Sequence, residues 1–233
     1  MLGRAVPAIV LALLPVLAGC GDGDDPETPE GEEAYAQYHS APRIMADGFD
    51  AMLALDSLHL TAEVTDETGS TSMDLSLRSD GDCLGRLQIP GWTEPADFVV
   101  AGGRDYVRGT AEFWAASGES DAAERYADRW VTTGDLASYC DFASRLAPFT
   151  RPIDEELTSK DGVGEIDGTD VVKVSSPHPT GRLRAWVAVA EPHHVLRLTL
   201  SGGRDAGELE LSAFDESVEV EAPPASEVVE FTG

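Results

Sequence analysis

The 233-residue chain carries 16 basic and 43 acidic side chains, a net charge of -27, with 42% hydrophobic residues. That balance excludes nucleic acid as a partner, because binding it requires an electropositive footprint that neutralises phosphates. It also denies the body any general attraction to anionic headgroups. The length suits one large domain or two small ones. Lys160 and Lys173 are the only lysines, an acid-rich, lysine-poor balance that suits a high-salt setting, where screening relieves self-repulsion, and equally a high-GC coding bias toward arginine.

The first twenty residues read as an export signal. Met1 to Arg4 give a basic start, Ala5 to Val16 an apolar run, and Leu17-Ala18-Gly19-Cys20 a small-residue cleavage site. The run falls short of the roughly 20 residues that cross a bilayer, and Pro7 and Pro15 interrupt it. Leu-Ala-Gly-Cys resembles the lipobox of bacterial lipoproteins. That resemblance implies removal of residues 1–19 and lipid on Cys20, with diacylglycerol on the sulfur and an acyl group such as palmitate on the new amino group. Two or more chains on one residue give stable membrane residence, which a single chain does not. The expected location is the extracytoplasmic face of the cell membrane.

Residues 21–33 contain no apolar side chain apart from prolines, so residues 20–39 are read as the lipidated Cys and an acidic flexible tether. Ser40 then caps a helix with Pro42 in its first turn, and Ile44, Met45, Phe49, Met52 and Leu53 recur at helical spacing. From Leu58 the period becomes two: Leu58, Leu60, Ala62 and Val64, then Met73, Leu75 and Leu77, then Leu84, Leu87 and Ile89, with two more strands at 98–101 and 106–107. A helical insert near 112–147 contains Phe113-Trp114, a helix over 121–129, and a third helix capped by Asp135. That third helix places Leu136, Tyr139, Cys140, Ala143, Leu146 and Ala147 on one side. Hairpins resume after residue 160: 162–166, 170–175, then Leu183, Ala185, Val187 and Val189, then Leu196, Leu198 and Leu200, then Leu209, Leu211 and Ala213, and finally Val218 and Val220.

With Cys20 lipidated, Cys83 and Cys140 remain as an even pair in an exported chain, and a disulfide between them is expected. Closing a loop of more than fifty residues would stabilise the fold by about 4 kcal/mol on chain-entropy arithmetic.

These elements predict an α+β fold in which about 11 short antiparallel strands are apolar on one face, covered by helices. Accumulated twist predicts a strongly curved sheet, a half-barrel with helices packed in its concave face. Residues 40–222 form one domain and 223–233 a C-terminal tail. This order resembles the bacterial lipoproteins of the LolA-like fold, nearest the actinobacterial lipid-carrying lipoproteins of the LppX/LprG type. The resemblance rests on layout and on phrases such as Val99-Val100-Ala101-Gly102-Gly103-Arg104-Asp105-Tyr106-Val107, Phe113-Trp114 and Arg129-Trp130-Val131. It implies a cavity that receives the acyl chains of an envelope lipid or acylated glycolipid.

The candidate walls of that cavity are Met45, Phe49, Met52, Leu60, Ala62, Val64, Met73, Leu75, Leu77, Leu183, Ala185, Val187, Leu196, Leu198, Leu200, Leu209 and Leu211. The bland alternative is that they fill an ordinary core. Two functions therefore stand side by side: a lipid-binding or lipid-transfer lipoprotein, and a non-catalytic structural or protein-interaction lipoprotein partnering an envelope transporter or enzyme. Catalysis, cofactor and metal find no support. His39, His59, His178, His193 and His194 have no zinc spacing, Asp22, Asp24 and Asp25 lack the glutamate of a calcium loop, and no Gly-x-Ser-x-Gly occurs. Replacing Cys20 with Ser is expected to abolish acyl labelling and to leave precursor or release the protein from membranes, as fractionation of labelled cells would read.

Overall fold

The computed structural model describes residues 32–116, 121–134, 136–146, 154, 156–179, 181–202 and 206–231, so Cys20 and the expected signal segment lie outside the described residues. Two helices lead, α1 (Glu32–Tyr38) and α2 (Ala41–Leu53). Five strands follow: β1 (Ser57–Asp66), β2 (Gly69–Arg78), β3 (Cys83–Gln88), β4 (Ala96–Ala101) and β5 (Arg104–Arg108). The insert holds α3 (Ala111–Ala115), α4 (Ala122–Tyr126), β6 (Trp130–Thr132), a 3-10 turn at Ala137–Cys140, and α5 (Phe142–Leu146). The chain then forms β7 (Ser159–Ile166), β8 (Thr169–His178), β9 (Gly181–Ala188), β10 (Val195–Ser201), β11 (Ala206–Ser212) and β12 (Val228–Glu230).

Local chemistry sets these boundaries. The Ser40 hydroxyl accepts from the Arg43 amide at 3.4 Å, and Pro at the first turn of α2 forfeits no helical hydrogen bond. The β1–β2 hairpin closes on Asp66, whose carboxylate accepts from the amides of Thr68 at 2.7 Å and Gly69 at 3.2 Å. In β4 burial alternates residue by residue, which is the period-two pattern of a sheet with one dry face.

All twelve strands belong to one sheet, in the order β12-β6-β5-β4-β3-β2-β1-β11-β10-β9-β8-β7. Every pair is antiparallel except β12 on β6, which is parallel. The expectation of a strongly curved half-barrel is corrected here. The sheet is open, ending on β12 and β7, and it is not strongly curved or barrel-like. Strong curvature needs bulges or kinks repeated along the ladder. Register shifts occur only between β9 and β10 and between β7 and β8, so from β6 through β11 the strands add twist without rolling up.

Two covers, which meet where α2 contacts α5, close the apolar face. Helix α2 lies over β7, β8, β9 and β10. Its Gly48 makes that contact flush: a Cβ there would stand 3.0 Å from a Val195 methyl and 3.1 Å from a Val187 methyl. The insert covers the other end, stapled by the Cys83–Cys140 disulfide, with Cα atoms 5.6 Å apart and both residues fully buried. Behind it the rings of Trp92, Phe113, Trp114, Tyr126 and Phe231 contact one another in succession. Asp105 is buried in β5, where its carboxylate accepts from the Thr133 hydroxyl and from the Gly134 amide at 2.9 Å.

Four local expectations change. The third insert helix is split at Asp141, whose carboxylate caps α5 by accepting from the Ser144 amide at 2.9 Å; Phe142 is buried and Ala143 exposed, while Asp135 and Ala147 lie outside the described residues. Val218 and Val220 form no strand. Val228–Glu230, in the span read as a tail, pair with β6 as β12. Glu32–Tyr38, in the span read as tether, form α1. Its Tyr35 is buried and stacks on His193 with ring centroids 3.9 Å apart, and Lys160 Nζ donates to the carbonyls of Ala36 and His39, both at 3.0 Å. Burial, with Asp47 beside it, pushes the Tyr35 hydroxyl well above the ordinary phenol range.

Two measurements check this packing. Gly85 has φ +148°, and a Cβ there would lie 2.0 Å from the Asp74 carbonyl oxygen on β2. Gly85→Ala is expected to cost about 2 to 4 kcal/mol of stability in urea unfolding. His194 packs on Phe214 at 4.2 Å between ring centroids; burial holds its pKa below the ordinary 6.5, with Asp215 pulling the other way. Since the folded-state value is depressed, the unfolded chain binds this proton first as pH falls. The stabilisation is complete above about pH 6.5 and is lost as pH drops through the folded value. Urea midpoints from pH 8 to 5 should therefore fall more steeply for the native chain than for His194→Gln.

Candidate functional site

The predicted wall residues divide into two groups. Met45, Phe49 and Met52 of α2 are buried against the sheet, together with Leu60, Ala62, Leu75, Leu77, Leu183, Ala185, Val187, Leu198 and Leu211. They belong to one continuous apolar cluster, and the contact at Gly48 leaves no gap between α2 and the β9–β10 pair.

Val64, Met73, Leu196, Leu200 and Leu209 are only half-buried. Leu196 is so for a local reason. Val195 pairs with Val187 and Arg197 with Trp186, so Leu196 is the extra residue of a bulge, and the inward phase of β10 passes to Val195 and Leu198. The alternation Leu196-Leu198-Leu200 could not disclose this, because a bulge leaves no mark in a hydrophobic repeat.

The other four form a strip. Register pairs Val64 with Gly207 and Gly207 with Leu200, while the next row pairs Met73 with Ala62 and Ala62 with Leu209. Val64, Met73, Leu200 and Leu209 thus lie together on the helix side of β2, β1, β11 and β10, near the β1–β2 hairpin tip. Gly207 keeps the middle of the strip low and cannot be enlarged cheaply, since a Cβ would approach the Glu63 carbonyl oxygen to 2.7 Å. Helix α2 is over β7 to β10 and the insert is stapled to β3, so the strip falls between the two covers. Its surface could accept an aliphatic chain laid along the strands, with the hydroxyl of Thr71, paired with Val64, beside it.

The opposite face is polar and carries an open depression of about 530 Å³ over β1, β2, β3 and β11. Glu63, Asp74, Glu208 and Glu210 fence it, with Arg86 as a counter-charge. A half-barrel would have placed its hollow on the helix side instead. Near its edge, His59 lies 3.2 Å from the Ser76 hydroxyl through Nδ1 and 3.2 Å from Asp74 through Nε2. A Ser-His-Asp nucleophile also needs amide donors for an oxyanion. Here the strands are interior to the sheet, His59 pairing with both Ser76 and Ser212, so their amides are engaged in ladders. Among the described residues no group of three or more His, Cys, Asp or Glu could hold a metal ion. No helix among the described residues is long and apolar enough to cross a membrane.

No protein-family model matches the sequence, and no curated protein matches it. Solved structures do. LprF from Mycobacterium bovis superposes with a TM-score of 0.58 at 17% identity, over 78% of this chain and 96% of LprF. The Mycobacterium tuberculosis lipoprotein LppX gives 0.56 at 17% identity, over 78% of this chain and 98% of LppX. At this identity the likeness is one of fold: the α+β fold of this chain is similar to those of LprF and lipoprotein LppX.

Proposed function

We propose that this protein is a non-catalytic lipoprotein, anchored through lipid on Cys20 to the extracytoplasmic face of the cell membrane, that binds or transfers an envelope lipid or acylated glycolipid. The half-buried strip Val64, Met73, Leu200 and Leu209 carries the reading. It is apolar, it lies between the strands under α2 and the strand stapled to the insert, and an acyl chain is the ligand whose chemistry matches it. The lipobox resemblance and the fold shared with lipoprotein LppX support the same conclusion. The acidic body favours a cargo recognised by its chains rather than by an anionic headgroup.

The flush contact at Gly48 favours a second reading, in which the core is filled and the protein serves as a structural or protein-interaction lipoprotein, with an envelope transporter as the partner class. Native mass spectrometry of the full chain, expressed with its signal in a lipidating host, separates the two. Acyl ligand in addition to the Cys20 modification is expected, and Leu200→Arg with Leu209→Arg should remove at least nine-tenths of it while leaving Cys20 lipidated. A native chain that never carries ligand would establish the second reading.

A further inference from the structure

We infer that the corner formed by the end of α1 and the β7 edge is the surface on which the anchored body rests against the bilayer. The inference depends on lipidation at Cys20 and is independent of any cargo. Val163, Tyr38 and Leu157 are 67%, 60% and 58% exposed, the three most exposed large apolar side chains among the described residues. They surround one lysine. Lys160 is three residues from Leu157 and three from Val163, and its Nζ holds the carbonyls of Ala36 and His39 on either side of Tyr38. Since β7 ends the strand order, these side chains stand at the rim of the sheet rather than over its centre.

Charge at this rim is mixed: strands β7, β8 and β9 carry Lys160, Lys173, Arg182 and Arg184 against Asp161, Glu165 and Asp170, while Asp154 and Glu156 adjoin Leu157 and Asp167 lies in the β7–β8 turn. Asp161 is taken up by Arg184 at 2.9 Å. Lys173 lies along Gly164 of β7 on the polar face, its Cε 2.9 Å from where a Cβ would be. Exposed apolar side chains around the stem of Lys160 match the bilayer interface, where a long cationic side chain lays its stem against hydrocarbon.

The bilayer is preferred over a protein partner because of where the chain enters. Eleven residues separate Cys20 from Glu32, a reach of about 40 Å at most. Helix α1 begins at Glu32 and ends at Tyr38, in the corner itself. The anchor therefore delivers this corner to the membrane at high effective concentration, so three side chains suffice for a contact that the free body would not hold.

Hydrogen exchange read by mass spectrometry on the full lipidated chain tests this, using vesicles of phosphatidylcholine with one-third phosphatidylglycerol. Amides of 156–166 should exchange at least threefold more slowly on vesicles than in the unanchored Cys20→Ser body, and 0.5 M salt should reduce the difference. Leu157→Asp combined with Val163→Asp, both solvent-facing changes, should float with vesicles as before yet lose the slowing. Flotation of the native chain without slowing, or slowing unchanged in the double variant, would overturn the inference and leave the anchor standing. Failure to float would overturn the anchor and this inference together. Slowing only after addition of an envelope protein fraction would assign the corner to a protein and overturn it as well.

Discussion

A twelve-stranded sheet with one apolar face presents more hydrocarbon than a single helix can cover, and the rest of the architecture follows from how that face is closed. A helix with its side chains is about 10 Å wide, or roughly two strand spacings. Helix α2 reaches β7 to β10 because Gly48 lets its backbone settle onto Val187 and Val195. The β3 to β6 end needs a second cover, and the insert provides it from helices of five residues, too short to be stable alone. The Cys83–Cys140 bond joins the insert directly to β3, so that cover cannot lift without unfolding the sheet end beneath it. Between the covers the strip at the β1–β2 tip stays half open.

The same openness leaves two strand edges, each blunted by its own means. At one end β12 is only three residues long. At the other, β7 carries a bulge at Asp161, since Lys160 pairs with Val174 and Gly162 with Lys173. Burial opposes ionisation of Asp161, but hydrogen bonds from Arg184, Ser175 and Ser159 outweigh it and hold the carboxyl below its usual range. The extra residue turns Asp161 to the polar face while Lys160 faces α1. From β5 to β2 on that face, charges alternate from strand to strand: Arg108 meets Asp97 at 2.8 Å, Asp97 pairs in register with Arg86, and Arg86 with Asp74, whereas Glu63 and Glu208 face each other across β1 and β11. Exposed pairs of opposite charge each contribute under about 1 kcal/mol. Their value is in opposing register slips, which would part the paired charges.

Much of the fold was legible because its strands obey a strict period. The α2 cap, ten strand positions and the Cys83–Cys140 pair were all readable, since alternation, capping chemistry and an even cysteine count each report a local or compositional constraint. What failed was non-local. Whether a one-faced sheet rolls or stays open depends on bulges, and Leu196 and Asp161 look like ordinary strand residues. The β6–β12 pairing escaped because a three-residue strand has no period to detect and its parallel partner lies a hundred residues away. Ala143 was assigned inward on the assumption of a continuous helix, which Asp141 breaks. Of the candidate walls, twelve are buried in the apolar cluster and five are half-buried, and no hydrophobic pattern separates the two because burial depends on what covers the face.

The strip and the α1 corner also have a fixed relation to each other. Leu200 pairs with Leu183 and Leu183 with Ser176, whose hydroxyl accepts from Thr158, next to Leu157. One row across the sheet thus runs from Val64 in the strip to the rim of β7, with four strand spacings, about 19 Å, between β11 and β7. Along that row Leu183 and Ser176 are buried, so the two surfaces are not one continuous groove. A body resting on its β7 rim holds the strip to the side of its membrane contact, at a distance close to the thickness of one hydrocarbon leaflet, about 15 Å. A lipid could then enter the strip by its chain ends while its headgroup stayed near the interface, without the body leaving its anchor. On the proposed function, separation of the two surfaces lets one protein be held by one lipid and handle another.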